Sequence, residues 1–204
     1  FFYNYNATPK IVEPLKNVKL FKKKAFQILR DFNFYYLPSQ LSFRTNLNRQ
    51  YGETQIRNVY DPSYSLPISV IKDFTIIRQY DFKYNFSKNL KFEYTATNNA
   101  RIDEPEGRLY KGDPEYEQKM DSIWKNFKTF GRNTSFYQQW NASYTLPINK
   151  IPIFNWISAS VRYQGSYNWT AGAITADTLN IGNVVQNANT MSASTQFNLL
   201  NLYN

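Results

Sequence analysis

The sequence predicts an all-β chain, an up-and-down antiparallel meander of about eight strands with one short helix in a long loop. Three observations predict it. Apolar and polar residues alternate with period two, as in Leu41, Phe43, Thr45 and Leu47 set against Ser42, Arg44, Asn46 and Asn48. Aromatic residues make up 18% of the 204 positions, with 17 Tyr, 16 Phe and 4 Trp, yet mean hydropathy is -0.59. Those two facts conflict in a soluble core but agree if apolar residues line one face of each strand and Asn, Ser, Thr and Gln the other. Third, tight turns alternate with long connections. No apolar run approaches the roughly 18 residues that a spanning helix requires, whereas a spanning strand needs only about 9 to 11 with alternate positions apolar. The chain therefore reads as transmembrane β-barrel wall.

Phe1, Tyr3, Tyr5 and Ala7 begin the alternation. A hairpin follows over 24–54: Phe26, Ile28, Phe32, Phe34 and Tyr36, a turn at Pro38-Ser39-Gln40, then Leu41 to Leu47. The second, over 73–101, runs through Ile76, Tyr80, Phe82, Tyr84 and Phe86, turns at Ser87-Lys88-Asn89 and returns through Leu90, Phe92, Tyr94 and Ala96. Asp31-Phe32-Asn33-Phe34 before one turn resembles Asp81-Phe82-Lys83-Tyr84 before the next, a weak hairpin repeat. The third hairpin, over 133–170, joins Phe136, Trp140, Ala142, Tyr144 and Leu146 through Pro147 to Pro152 to Ile157, Ala159, Val161, Tyr163, Tyr167 and Trp169. A last strand over 190–203 alternates Met191, Ala193, Thr195, Phe197 and Leu199 with Ser192, Ser194, Gln196 and Asn198.

Residues 1–204 read as a single wall segment with long loops at about 8–23, 55–72, 102–132 and 171–190. A helix is expected within 113–131. Asp113 can N-cap it, Pro114 suits the first position, Gly131 can close it, and Tyr116, Met120, Ile123, Trp124 and Phe127 share one face. Such a stripe packs on the barrel mouth or docks a partner.

Parity divides the strand residues. Phe32, Phe34, Leu41, Phe43, Tyr80, Phe82, Tyr84, Phe92, Tyr94, Trp140, Tyr144, Val161, Tyr163, Tyr167 and Trp169 are expected to face lipid. Arg44, Asn46, Asn48, Lys83, Asn85, Lys91, Glu93, Arg162 and Gln164 are expected to face the lumen. Tyr36, Trp156, Tyr167 and Trp169 suit an interfacial aromatic girdle. Arg30 and Arg78 fall on the outward parity, where a midplane arginine costs roughly 2 to 4 kcal/mol; a β-bulge at each would turn it inward beside Asp31 or Asp81.

No catalytic, cofactor-binding or metal-binding constellation stands out, so the chain does not read as an enzyme. It contains no Cys and no His, which removes thiolate sites, disulfides and the usual general base near neutral pH. The acidic cluster of Asp103, Glu104, Glu106, Asp113, Glu115 and Glu117 lacks EF-hand spacing and is interleaved with Arg101, Arg108 and Lys111, so it reads as a solvated loop. The formal charge of +9 is concentrated at Lys16, Lys19, Lys22, Lys23, Lys24 and Arg30, a solvated loop or anionic-lipid contact rather than a nucleic-acid groove. The chain opens at Phe1 directly in an alternating strand and reads as an excised fragment.

Several stretches resemble the SprA/Sov family, the outer-membrane translocon of the type IX secretion system, which is also linked to gliding motility. They are Asp31 to Phe34 with Leu37-Pro38-Ser39, Leu41-Ser42-Phe43-Arg44-Thr45, Ala100-Arg101-Ile102-Asp103-Glu104-Pro105-Glu106-Gly107-Arg108, Leu146 to Pro152, and Tyr163-Gln164-Gly165-Ser166-Tyr167-Asn168-Trp169. The resemblance implies a segment of a large barrel, of the class with about 36 strands, set in the cell outer membrane. It implies passage of folded cargo proteins and, as partners, the remainder of the same barrel, a PorV-type barrel protein, a plug protein and outer-membrane lipids. It implies no cofactor. Two other readings fit the alternation: a self-contained eight-stranded outer-membrane barrel with a structural or adhesive role, and a soluble carbohydrate-binding β-sandwich.

Overall fold

In a computed structural model, residues 1–19, 26–61, 63–172 and 182–200 are described. Seven strands form one antiparallel sheet: β1 (Phe2–Asn6), β4 (Gln40–Thr54), β5 (Ser69–Asn85), β6 (Leu90–Arg101), β7 (Arg132–Leu146), β8 (Ile157–Thr170) and β9 (Val184–Phe197), in that spatial order. A separate two-stranded ribbon pairs β2 (Ile11–Val12) with β3 (Phe34–Tyr35). The chain is therefore all-β. Its sheet is open, with β1 and β9 as unpaired edges, so it is not an eight-stranded barrel closed on itself.

Of the predicted strand regions, 73–101 and 133–170 form as expected, whereas 24–54 forms only over its second half, as β4. The last, 190–203, is strand only to Phe197; Leu199 and Leu200 are helical and 201–203 lie outside the described residues. Residues 26–36 fold as a short helix α1 (Gln27–Arg30), a turn and β3, and the neighbour of β4 is β1, with Tyr3 opposite Phe43 and Tyr5 opposite Leu41. Side-chain hydrogen bonding outcompetes the strand here. The amide of buried Asn33 donates to the Asp31 carbonyl (2.7 Å) and its Oδ1 accepts from the Lys88 amide (2.8 Å). Asp31 in turn holds Arg30 (3.1 Å) and Lys150 (3.0 Å). The connection 7–39 consequently lies at the same end of the sheet as the 86–89 turn, not with the long loops. Lys22, Lys23 and Lys24 lie outside the described residues.

The tight turns fix the register. Ser87 Oγ accepts the Asn89 and Leu90 amides (3.2 and 3.0 Å), closing the β5–β6 hairpin. Two proline-initiated 3-10 turns, Pro147–Lys150 and Pro152–Phe154, join β7 to β8. At the opposite end lie the connections 55–68, 102–131 and 171–183, the first and last shorter than expected because β5 starts at Ser69 and β9 at Val184.

The long loop carries α2 (Tyr116–Lys128), within the predicted 113–131. Glu115, not Asp113, stands at its N-cap, without a side-chain hydrogen bond. Its C-terminus is a Schellman motif: the Gly131 amide bonds the Asn126 carbonyl (2.9 Å) and the Phe130 amide bonds that of Phe127 (2.9 Å). Phe130 has φ 62 and Gly131 φ 70. The helix packs not on a mouth but across one sheet face. Ile123 is buried and Phe127 stacks on Phe74 (6.2 Å) beside the buried cluster of Ile76, Ala100 and Ile102.

At Gly131 an added Cβ would lie 2.6 Å from the Arg101 carbonyl oxygen, at a backbone angle that side chains disfavour. Gly131→Ala is expected to destabilise the loop by about 1 to 3 kcal/mol, seen as faster amide exchange at Phe130 and residue 131. Unchanged exchange would contradict this account of the loop's closure.

Candidate functional site

Apart from one shift between β6 and β7, the strand register keeps the alternate side chains of each strand on one face across the main sheet. One row runs Tyr5, Leu41, Phe82, Tyr94, Trp140, Gly165 and Asn189; the next runs Tyr3, Phe43, Tyr80, Ala96, Gln138, Tyr167 and Asn187. Tyr84, Phe92, Ala142, Tyr163 and Met191 form a third row on the same face, and Tyr144 pairs with Val161 beyond it. Trp169 lies there too, opposite Phe136. Thirteen of the fifteen residues expected to face lipid thus share one face. The exceptions are Phe32, in the turn after α1, and Phe34, in the ribbon opposite Val12; neither belongs to the wall.

All the residues expected to face the lumen lie on the opposite face. Lys83 pairs with Glu93, Asn85 with Lys91, Arg162 sits between Ser143 and Ser192, and Gln164 between Asn141 and Thr190. Arg44, Asn46 and Asn48 occupy the same face of β4. The Lys83–Glu93 contact is 4.0 Å and half exposed on both sides, worth little. Ser42, buried beneath Arg44, donates to Asp81 (2.8 Å). Amides and hydroxyls predominate on this face, with Phe2, Ile71, Ile77 and Tyr137 standing among them.

Among the described residues the aromatic face is covered at the long-loop end by α2 and flanked at the tight-turn end by β3, where the Tyr84 hydroxyl donates to the Tyr35 carbonyl (2.7 Å). Leu41, Tyr80, Tyr144 and Tyr163 are each more than a third exposed, and no second sheet packs on them. That arrangement differs from a sandwich, whose apolar faces meet. Gly165 lets the Trp140 ring lie flat on β8, since a Cβ there would run into the indole.

Ion pairs strap the long loop over this face, and sequence reading missed them because their partners are far apart in the chain. Arg49 donates from Nε and Nη2 to Glu104 (2.6 and 2.9 Å), whose side chain is 3% exposed. Arg132 makes the same two-point contact with Asp103 (2.9 and 3.0 Å), which holds that carboxyl below its usual pKa. Arg108 bonds Glu53 (3.0 Å), and the Lys72 ammonium donates to the Pro105 carbonyl (2.6 Å). Two of the six clustered carboxylates, Asp103 and Glu104, are therefore bound to arginines, while Glu106, Glu115 and Glu117 are exposed as expected. No cluster of three possible metal ligands occurs among the described residues.

Neither arginine that broke the parity sits at a bulge. Arg30 is in α1, paired with Asp31. Arg78 stays on the aromatic face between Thr45 and Asn98, and the bulge lies two strands away, where Asn99 pairs with Ser135 but Ala100 with Asn133. That shift turns Asn133 onto the aromatic face. Arg78 Nη2 then donates to Asn98 (2.7 Å) and Asn133 (2.9 Å), with Phe130 over the guanidinium at 5.5 Å. This Nη2 is thus bonded within the protein while the buried Nε of Arg78 has no partner among the described residues, at the border of the uncovered aromatic area nearest the long loops.

Of the girdle candidates, Tyr167 and Trp169 are on the aromatic face near the long loops. Trp156 precedes β8 at the opposite end, donating to the Ile153 carbonyl (3.0 Å) and packing on Phe197 (5.7 Å). Tyr36 lies outside the sheet and is largely exposed.

No protein-family model matches the chain, and no curated protein matches it.

Glu104→Ala leaves Arg49 without its partner and is expected to weaken the loop's attachment by about 1 to 3 kcal/mol. The Ile102 amide, bonded to the Phe74 carbonyl (2.8 Å), should then exchange faster. Exchange as slow as in the parent would mean that packing by Ile123 and Phe127 alone holds the loop.

Proposed function

We propose that this chain is part of the wall of a large barrel in the cell outer membrane, one that conducts folded proteins across it in type IX secretion. The observation that carries the reading is a single-layer sheet with one uncovered aromatic face, one polar face and two open edges. A lipid bilayer supplies what covers the first, water what covers the second, and further strands what satisfies the third, because no sheet edge can face hydrocarbon.

Dimensions support it. From Phe136 to Leu146 the aromatic face of β7 advances roughly 34 Å at about 3.4 Å per residue. At a tilt of about 40° this spans roughly 26 Å of membrane, against an apolar band of about 25 Å in such barrels. The connections 55–68, 102–131 and 171–183 would lie outside the cell and the tight turns in the periplasm. Arg78 would sit at the outer border of the band, where its cost is small.

Transport requires no bond chemistry. Arg44, Asn46, Asn48, Lys83, Asn85, Lys91, Glu93, Arg162 and Gln164 would act collectively, keeping the conduit hydrated and offering cargo few apolar surfaces to adhere to. The gliding-motility link, PorV-type partner and plug rest on the family resemblance alone. The small-barrel alternative is disfavoured by the open edges and the sandwich by the uncovered aromatic face.

Adjacent residues give a direct test. Phe92→Arg puts a cation in the aromatic band and is expected to cost about 2 to 4 kcal/mol of membrane stability. The barrel should be depleted from the outer membrane, and exported proteins from the medium. Glu93→Arg, one position along and on the polar face, should leave both nearly unchanged. Equal tolerance of the two substitutions, or undiminished export without the barrel, would refute the reading.

A further inference from the structure

At the tight-turn end the aromatic face does not simply stop. It runs into a groove of about 510 Å³ between the α1–β3 segment and the ends of β5, β6 and β7. Phe32, Phe34, Tyr84, Leu90, Tyr144 and Pro147 line it, so its floor is continuous with the aromatic rows of the sheet. The groove is open and predominantly apolar. Its rim is basic.

Asp31 and Lys150 line the groove, and the cations in and beside it are arranged in two pairs, each sharing one carboxylate. Asp31 holds Arg30 (3.1 Å) and Lys150 (3.0 Å), and Glu13 holds Lys16 (2.6 Å) and Lys88 (2.7 Å). Asn33 ties the pairs together, since it bonds both the Asp31 carbonyl and the Lys88 amide. Both carboxylates remain ionised. Hydrogen bonds from Lys16 and Lys88 lower the Glu13 pKa to about 2; burial raises that of Asp31, but the bonds from Lys150 and Arg30 outweigh it. Four cations against two carboxylates leave a net positive rim with its cations oriented but incompletely neutralised. The sequence adds Lys19, Lys22, Lys23 and Lys24 in the adjoining stretch. Nearby apolar side chains are also turned outward: Ile28, Leu29 and Phe32 around α1, and Ile153 and Phe154 in the β7–β8 connection.

An apolar groove opening from a lipid-covered face and flanked by more cations than carboxylates matches one molecule on both counts. We propose that this end of the sheet binds an anionic glycerophospholipid of the inner leaflet, an acyl chain in the groove and the headgroup phosphate beside Arg30 and Lys150, whose two positive charges share the single Asp31 carboxylate. The proposal rests on the barrel reading and adds a specific headgroup site to it. Charge complementarity selects the lipid over an apolar peptide, which would leave the excess of positive charge unmatched. Groove and sheet continuity select it over free phosphate, which would leave the apolar floor bare.

The test uses the natural polypeptide that carries this chain, purified in neutral detergent. Phosphatidylglycerol and phosphatidylcholine with identical acyl chains are added, and retained lipid is counted by native mass spectrometry. Phosphatidylglycerol should be retained roughly ten-fold better, and the preference should vanish in the Arg30→Gln/Lys150→Gln variant and in high salt. Equal retention of the two lipids by the parent protein overturns the proposal even if the variant does not fold. So does a preference that survives the double substitution. Insertion into liposomes of phosphatidylcholine alone, which needs no anionic headgroup, is measured alongside. Insertion without headgroup preference removes the lipid site and leaves the barrel reading standing, whereas failure to insert removes both.

Discussion

Everything in this molecule depends on strand register. A strand's side chains alternate with a period of two, so a slip of one residue between any two neighbours would carry an entire aromatic set to the polar face. Across β1, β4, β5, β6, β7, β8 and β9 no such slip occurs within the aromatic rows. The Ser87 turn and the paired 3-10 turns after β7 hold the hairpins to that register from one end. The single irregularity, at Asn99 and Ala100, lies beyond the open aromatic rows and re-aims Asn133 toward Arg78.

The two ends of the sheet are finished differently. At the long-loop end, arginine–carboxylate pairs and the stripe of α2 cover the aromatic face, so Ile76, Ala100 and Ile102 form a small buried core. At the tight-turn end the described part of the connection 7–39 folds back onto the turns, with the Tyr35 amide donating to the Phe86 carbonyl and the Tyr84 hydroxyl to the Tyr35 carbonyl. Between them the aromatic face has no protein cover among the described residues. The area left bare is bounded above by Arg78 and below by the basic groove, so charge marks both borders.

What was legible in the sequence followed from how local the cause was. Period-two alternation located β4 to β9, and parity alone divided residues such as Lys83 and Phe82 between the faces, because each strand's pattern is complete within itself. The same pattern misled at 26–36. Asp31-Phe32-Asn33-Phe34 and Asp81-Phe82-Lys83-Tyr84 look alike, but Asn33 can bond the local backbone and a distant turn amide whereas Lys83 cannot. The helix was legible from its stripe and from Gly131, but not its packing surface, because Arg49–Glu104 and Arg132–Asp103 join positions remote in sequence. The partners of Arg78 were hidden for the same reason, since the bulge that supplies Asn133 lies on another strand pair.

The central claim is that one face of this sheet meets hydrocarbon and the other water. The chain has no Cys, so single cysteines can be introduced along β6 and spin-labelled in the natural polypeptide, reconstituted into a bilayer. Labels at residues 91 to 96 would be read for collision with oxygen, which concentrates in lipid, and with a water-soluble nickel complex. Oxygen collisions should peak at 92, 94 and 96 and nickel collisions at 91, 93 and 95, in strict opposition. Oxygen and nickel accessibility rising and falling together, with both faces open to the nickel complex, would contradict the account.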